Sequence, residues 1–439
     1  MLRLFIATAL LSSLTIAQET DALARFLAPI QQHPAVVASR ALLAAAEANY
    51  QAVYTPIGFS LQGAYTRLNL SDDVMLPPGL ELPQNLVNVE FGLNLRPFPF
   101  GDIADLAQQR RVALERAQLS YQQTLANLEV QALQLAMQLR LLEASLEVAR
   151  AAERLSEAAL AATRTRLARG AASETELAEA EQRVQEARQG ALEAADNLAL
   201  ARLSLQQLVG DEMLTAVPLL EPVTGALPDV RQAEYDVQLA EVGVTNSQRA
   251  LYPVAQASYA IPLSDERSEL AFALESRTLQ PSIRYSYSNP RQSFGGFSPP
   301  PGVDSSILRG AFTIGVSLEI SAESFAAAEE AFLQLQAAQA GLQAARDNAG
   351  LTARSLSAAI TSSRLGLEIA ERSVQRASQG LADTQQRQAL GLATELDVLQ
   401  AELSLRQAEL GLRSGELEYL SSILSTYSSY ALPLSEVLP

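Results

Sequence analysis

Residues 170–181 read Gly-Ala-Ala-Ser-Glu-Thr-Glu-Leu-Ala-Glu-Ala-Glu, and residues 391–402 read Gly-Leu-Ala-Thr-Glu-Leu-Asp-Val-Leu-Gln-Ala-Glu. Each stretch is a helix stop followed at once by a helix start. Gly supplies the left-handed residue that ends a helix, and Ser173 with Glu176, or Thr394 with Asp397, forms a capping pair that opens the next. Upstream of the first stretch, residues 102–168 contain no Pro and no Gly and are dominated by Ala, Leu, Gln, Glu and Arg. Their apolar residues at Leu128, Ala132, Leu135, Leu139, Leu142, Leu146 and Ala149 are spaced alternately by four and three. That is a coiled-coil seam, on a helix of roughly 100 Å at about 1.5 Å per residue. Downstream, a second helix is predicted from Ser173 to about Val209, so the pair makes a long antiparallel helical hairpin. Small seam residues (Ala132, Ala149, Ala180, Ala187) let such helices approach closely.

The unit recurs. A shift of 221 residues superposes Gly170 on Gly391, Ser173 on Thr394, Glu174 on Glu395, Glu176 on Asp397, Ala180 on Ala401, Glu181 on Glu402, Ala187 on Ala408 and Gly190 on Gly411. A second long helix is therefore expected from Ala322 to Gln388 and a second return helix from Thr394 to Tyr430. A shorter helix introduced by Pro precedes each: Pro34–Tyr54 and Pro228–Leu251. These signals divide the chain into a signal peptide (1–17), a first repeat (18–210), a linker (211–227), a second repeat (228–430) and a C-terminal tail (431–439).

Between the short and the long helix of each repeat the hydrophobic period changes from about 3.6 to 2. Val87, Val89, Phe91, Leu93 and Leu95 alternate with Asn88, Glu90, Gly92 and Asn94; Phe312, Ile314, Val316, Leu318 and Ile320 alternate with Thr313, Gly315, Ser317 and Glu319. Their expected partners are the strands carrying Phe59, Leu61 and Tyr65, and Ile283, Tyr285 and Tyr287. Loops rich in Pro and Gly join the pairs at Ser71–Gln84 and Asn289–Ser306. An apolar face opposite a polar one fits a membrane β-barrel, though a half-buried soluble sheet shares the alternation. Four strands cannot close a barrel around a pore, so the barrel reading requires an oligomer. Val254–Ile261 and Leu270–Leu274 read as a further hairpin found only in the second repeat, and the pattern leaves open whether it joins the barrel.

Composition narrows the function. The 439 residues contain no Cys, no Trp and one His, and the 32 basic residues, all Arg, face 49 acidic ones for a net charge of -17. Cys metal sites and Lys Schiff bases are excluded, and a surface for nucleic acid is opposed by repulsion of phosphate. His33 precedes Pro34 at a helix start and reads as a surface residue. No G-x-S-x-G frame surrounds any Ser. Most enzyme classes become poor candidates, His-dependent catalysis would hang on His33 alone, and no catalytic, cofactor or metal residue is expected. Arg3 followed by apolar Leu4–Ile16, with Thr15 and Ala17 small, reads as a signal peptide cleaved before Gln18. No later run of 18 apolar residues exists, which predicts an exported chain without a transmembrane helix.

The order of elements resembles that of the TolC-like outer-membrane efflux protein family over essentially the whole mature chain. Gly391-Leu-Ala-Thr-Glu-Leu-Asp-Val-Leu-Gln-Ala looks like the family's turn and start of its last long helix, and Pro34-Ala-Val with Ala45-Ala46-Glu47 looks like its opening helix. The resemblance implies a mainly α fold with a β-barrel part: antiparallel coiled-coil helices in two tandem repeats, and four or more strands per protomer completing a trimeric barrel, twelve-stranded where there are four. It implies a passive exit duct of a tripartite efflux or type I secretion system. Such a duct sits in the outer membrane with its helices in the periplasm and works with a periplasmic adaptor, an inner-membrane pump and lipid. It further implies that acidic side chains just after the last Gly turn narrow the tunnel. Asp397 matches such a position, Gln400 stands one turn on where some members carry a second acid, and Glu176 matches the acid of the first repeat. The Arg and Tyr of a latch found in some members would fall at Ala393 and Gln388, so that latch is absent. Asp397 and Glu176 are also explained as helix caps worth about 0.5–1 kcal/mol. The turns at Gly170 and Gly391, with Arg166 and Arg169 beside the first, are the expected adaptor contact. The alternatives are a periplasmic coiled-coil adaptor, which would carry one hairpin and compact β domains, and a structural envelope protein, which would need no amphipathic strands.

Overall fold

The computed structural model describes residues 22–55, 57–67, 85–96, 98–211, 214, 220–263, 267–289, 310–318 and 321–437. The segment 1–17, the loop Ser71–Gln84 and all but the first residue of the loop Asn289–Ser306 lie outside the described residues. In chain order the elements are α1 (Pro34–Val53), β1 (Ile57–Arg67), β2 (Asn85–Leu95), α2 (Asp102–Ala168), α3 (Glu174–Val209), α4 (Pro228–Ala250), β3 (Val254–Pro262), β4 (Ser268–Glu275), β5 (Pro281–Asn289), β6 (Ala311–Ser317), α5 (Ala322–Ala389), α6 (Glu395–Ser429) and α7 (Leu434–Val437). A 3-10 helix, Ala28–Gln32, precedes α1. The fold is mainly helical with one antiparallel sheet. The chain forms two compact units that each draw on both repeats: Met1–Ala41 with Gln118–Arg231 and Ala344–Pro439, and Leu42–Ala117 with Gln232–Gln343.

The first unit is helical. Its core joins Phe26 and Ile30, ahead of α1, to Leu125, Leu133 and Leu139 of α2, Leu205 and Val209 of α3, Leu220 of the linker, Leu424 and Tyr427 of α6 and Leu434 of α7. Of the α2 seam, Ala132, Leu139 and Leu146 are buried, but so are Ala126, Val130, Leu133, Ala136 and Met137, which are not seam positions. The middle of α2 is thus enclosed on more sides than one, because the N-terminal segment, the linker and the C-terminal segment join the same core. Polar bonds hold those segments. Tyr427 Oη donates to the Glu221 carbonyl at 2.9 Å, and the Val223 N–H donates to Thr426 Oγ1 at 3.2 Å. Glu129 of α2 is fully buried and accepts from the Ser435 N–H at 3.2 Å and from Ser435 Oγ at 2.5 Å. Burial raises its pKa, against the opposing pull of the Ser435 bonds.

Ion pairs run as rungs between α2 and α3: Arg202–Glu143 at 2.9 Å, Arg188–Glu157 at 2.6 Å and Arg164–Glu181 at 3.0 Å, while Arg154–Glu402 at 2.8 Å ties α2 to α6. Partly exposed pairs of this kind contribute about 0–1 kcal/mol each, so they set alignment more than stability.

The second unit carries the sheet, ordered β1-β2-β5-β4-β3-β6 and antiparallel at every pairing. The expected pairing of β1 with β2 is made, Phe59 opposite Leu93 and Leu61 opposite Phe91. The expected pairing of β5 with β6 is not. The β3–β4 hairpin lies between them, β4 on β5 and β3 on β6. A period of two states which residues share a face and is silent about which strand is the neighbour.

Gly101 joins this sheet region to α2. Its φ is +57°, and a Cβ there would lie 1.7 Å from the Arg277 carbonyl oxygen, so only glycine fits. Arg249 of α4 reaches Asp102 at 3.0 Å and the buried Asp105 at 2.6 Å in the first turn of α2, where carboxylates also favour the helix dipole.

Candidate functional site

The two helix turns are built alike. Gly170 and Gly391 have φ of +74° and +72°. In the first, the Gly170 N–H donates to the Leu167 carbonyl and the Ala171 N–H to the Arg166 carbonyl, both at 2.8 Å; in the second, Gly391 donates to Gln388 at 2.9 Å and Leu392 to Arg387 at 2.8 Å. This is the Schellman closure, which satisfies carbonyls at the helix end. The capping boxes follow. The Ser173 N–H donates to the Glu176 carboxylate at 2.8 Å, and the Glu176 N–H donates to Ser173 Oγ at 3.2 Å. The Thr394 N–H and Oγ1 donate to Asp397 Oδ2 at 2.7 and 2.8 Å, and the Asp397 N–H donates to Thr394 Oγ1 at 3.3 Å. The Thr394 backbone bond, then its hydroxyl, and at longer range Arg387 hold the Asp397 carboxyl below the usual aspartate range.

The structure therefore brings Glu176, Arg166 and Gly170 into one turn, with Arg166 Nη2 donating to the Ala171 carbonyl at 3.0 Å and lying 3.9 Å from the Glu176 carboxylate. Asp397 and Gly391 share the other turn, and Gln400 is exposed one turn further along α6. Asp397, Glu176, Arg166 and Arg169 are all exposed. The sequence reading did not single out Arg387, whose charge acts on Asp397, or the Arg154–Glu402 bridge. The first was findable, since Arg387 lies in the last turn before Gly391; a pair 248 residues apart leaves no local signal.

The sheet is the second candidate surface. The row Phe59, Leu93, Ile283, Phe272, Tyr259, Phe312 crosses all six strands on one face, and beside it runs Leu61, Phe91, Tyr285, Leu270, Ile261. Large apolar side chains here are exposed: Phe59 70%, Leu61 74%, Phe312 66%, Ile314 65%. The opposite face carries Gln62, Glu90, Ser286 and Glu269 in register, with an Arg284–Glu90 ion pair at 2.8 Å. Tyr285 and Ser268 share a hydrogen bond at 2.9 Å. Among the described residues, no helix is long and apolar enough to cross a membrane, and no three His, Asp or Glu side chains cluster as metal ligands would.

Comparison with known proteins bears out the resemblance. Residues 29–211 match the model of the family described as outer membrane efflux protein. No curated protein matches the sequence. Among solved structures, the outer membrane protein VceC of Vibrio cholerae is 17% identical with a TM-score of 0.63, over 93% of this chain and 96% of that one. The CmeC outer membrane channel of Campylobacter jejuni is 14% identical with a TM-score of 0.64, over 94% and 86%. The open-state MtrE outer membrane channel of Neisseria gonorrhoeae is 16% identical with a TM-score of 0.60, over 94% and 89%. At these identities the likeness is one of fold, and it extends along nearly the whole chain.

Proposed function

We propose that this chain, whose residues 29–211 match the outer membrane efflux protein family and which over nearly its whole length has the fold of outer-membrane channels, is the protomer of a trimeric channel-tunnel. Its sheet lies in the outer membrane and its helices in the periplasm. It is a passive exit duct for an inner-membrane pump, reached through a periplasmic adaptor in a tripartite efflux or type I secretion system.

The observation that carries this reading is the sheet, apolar on one exposed face, polar on the other and, among the described residues, open at both edges. Apolar area left in water costs about 25 cal/mol per Å², and an unpaired strand edge in lipid leaves each backbone group unsatisfied at a cost of several kcal/mol. Lipid removes the first cost and further copies of the chain remove the second. A second feature supports assembly. Phe325, Phe332, Leu333, Leu351, Leu365 and Ile369 of α5 are each more than half exposed, whereas no large apolar residue of α2 is among the exposed ones. Neither an adaptor nor a coiled-coil envelope protein has a use for such a sheet.

Within this reading, Asp397, Glu176 and Gln400 narrow the helical end, and the turns at Gly170 and Gly391 with Arg166 and Arg169 contact the adaptor. The test is extraction and mass. The protein should stay in solution only with detergent, at the mass of three protomers. A monomer soluble in plain buffer overturns the proposal.

A further inference from the structure

The resemblance to efflux channels implies a twelve-stranded barrel where each copy gives four strands, but the described residues of this chain place six in one continuous sheet. The extra pair is neither a flap on an edge nor a second layer. β4 pairs with β5 from Ser268 opposite Tyr287 to Leu274 opposite Pro281, and β3 pairs with β6 from Val254 opposite Ser317 to Ala260 opposite Ala311. The hairpin thus fills the place where β5 would otherwise meet β6.

Its side chains obey the same division of faces as the other four strands. Tyr259 lies opposite both Phe272 and Phe312, Phe272 opposite Ile283, and Leu270 opposite Tyr285, so the apolar rows run through the hairpin without a break. Tyr259, Phe272 and Leu274 are 43%, 40% and 43% exposed on that face. The other face of the hairpin carries Gln256, Ser258, Glu269 and Ala271, aligned with Ser282, Arg284 and Ser286 of β5 and with Thr313 and Gly315 of β6. A hairpin standing in water outside the wall would gain nothing from aromatic residues aligned with a lipid-facing row.

Strand direction completes the geometry. Because neighbours alternate along all six strands, β1 and β6 at the two edges run opposite to each other. The β1 edge of one copy therefore meets the β6 edge of the next as an antiparallel neighbour, with the apolar face kept on the outside.

We infer that β3 and β4 are part of the membrane wall and that three copies of this chain close a barrel of eighteen strands. The inference rests on the outer-membrane reading above and adds the strand count. Barrel diameter grows roughly linearly with strand number, so this barrel is about one and a half times as wide as a twelve-stranded one, in the range of strand numbers that encloses an aqueous channel. The membrane section is then a wide outlet for bulky cargo, and any narrowing belongs to the helical end.

The chain has no Cys, so single cysteines report without background. In full-length protein reconstituted in phospholipid vesicles, Gln256→Cys and Ala271→Cys, on the polar face, should react with a charged, membrane-impermeant maleimide. Tyr259→Cys and Phe272→Cys, on the apolar face, should stay protected until the vesicles are dissolved. Equal labelling of all four takes the hairpin out of the wall and overturns the inference. Electron microscopy of the detergent-solubilised assembly should count eighteen strands, and twelve with a separate hairpin overturns it independently. The native mass keeps the two readings apart. Alternating labels in an assembly of another copy number overturn the trimer and the total of eighteen, while a water-soluble monomer overturns the membrane reading itself.

Discussion

Asp397 shows how one side chain satisfies two accounts that differ in what they predict. Its bonds with Thr394 complete a capping box, and a cap alone is worth about 1 kcal/mol. The gate account adds that threefold symmetry gathers three such carboxylates around one axis, where they concentrate cations. Divalent or trivalent cations applied from the helical end should then block conductance through bilayer-inserted protein, and Asp397→Ala should relieve the block, with Asp397→Asn as the milder variant. Block that survives both substitutions leaves Asp397 as a cap. Protons separate the accounts as well. Within one copy the carboxyl titrates below the usual aspartate range, so the stability it gives is complete above that range and is lost as pH falls through the lowered value. In a ring, like charges push it back up, so a block that fades at mildly acidic pH is the signature of the ring.

Glu129 runs the other way. Burial raises its folded pKa above the unfolded one, so its titration favours the fold most on the acid side and less as pH rises through the raised value. Glu129→Gln should flatten that part of the pH dependence of thermal unfolding. Glu129→Ala, which strands the Ser435 N–H, should cost about 1–3 kcal/mol and open the C-terminus to carboxypeptidase.

For whole elements, the helical hairpins depend on turns that a glycine alone closes without strain. A Cβ at Gly170 or Gly391 meets nothing within 4 Å, so the cost of Gly170→Ala or Gly391→Ala is that of the left-handed backbone, about 1 kcal/mol. Gly101→Ala is different in kind. The Arg277 carbonyl occupies the place of the new Cβ, so the joint between sheet and α2 must shift, and loss of membrane insertion is the expected readout. The proposed adaptor contact at the turns has its own test. Charge reversal at Arg166 and Arg169 should weaken cross-linking to the adaptor and leave barrel insertion unchanged; unchanged cross-linking would remove the turns from the interface. Arg169→Glu is the cleaner probe, because Arg166 also bonds the Ala171 carbonyl within its own turn.

On the scale of the whole molecule, one copy is an unfinished object. Among the described residues its sheet has two open edges and its α5 exposes a series of large apolar side chains; the proposed association of copies would remove both deficits. Folding and assembly should therefore be linked. Charged substitutions at Leu365 and Ile369 of α5, each more than half exposed in the single chain, should lower the yield of detergent-stable trimer while leaving the helical content of the protomer. An unchanged trimer yield would place that face outside the subunit contact.

The sequence by itself determined the features that depend on nearest neighbours along the chain. The capping boxes at Ser173 and Thr394 and the Gly turns before them are contacts within a few residues, so their residue types suffice to announce them. The duplication at a constant offset and the two faces of each strand follow in the same way from spacing. Only the tertiary structure decided which strand lies beside which, and so put β3 and β4 between β5 and β6. Six strands share one period of two, and hydrogen bonds between strands are indifferent to side-chain identity. Only the tertiary structure, too, enclosed Glu129 and joined Arg154 to Glu402. Those contacts span hundreds of residues, and nothing in the local pattern of charges and apolar residues distinguishes their members from other acids and arginines on the same helices.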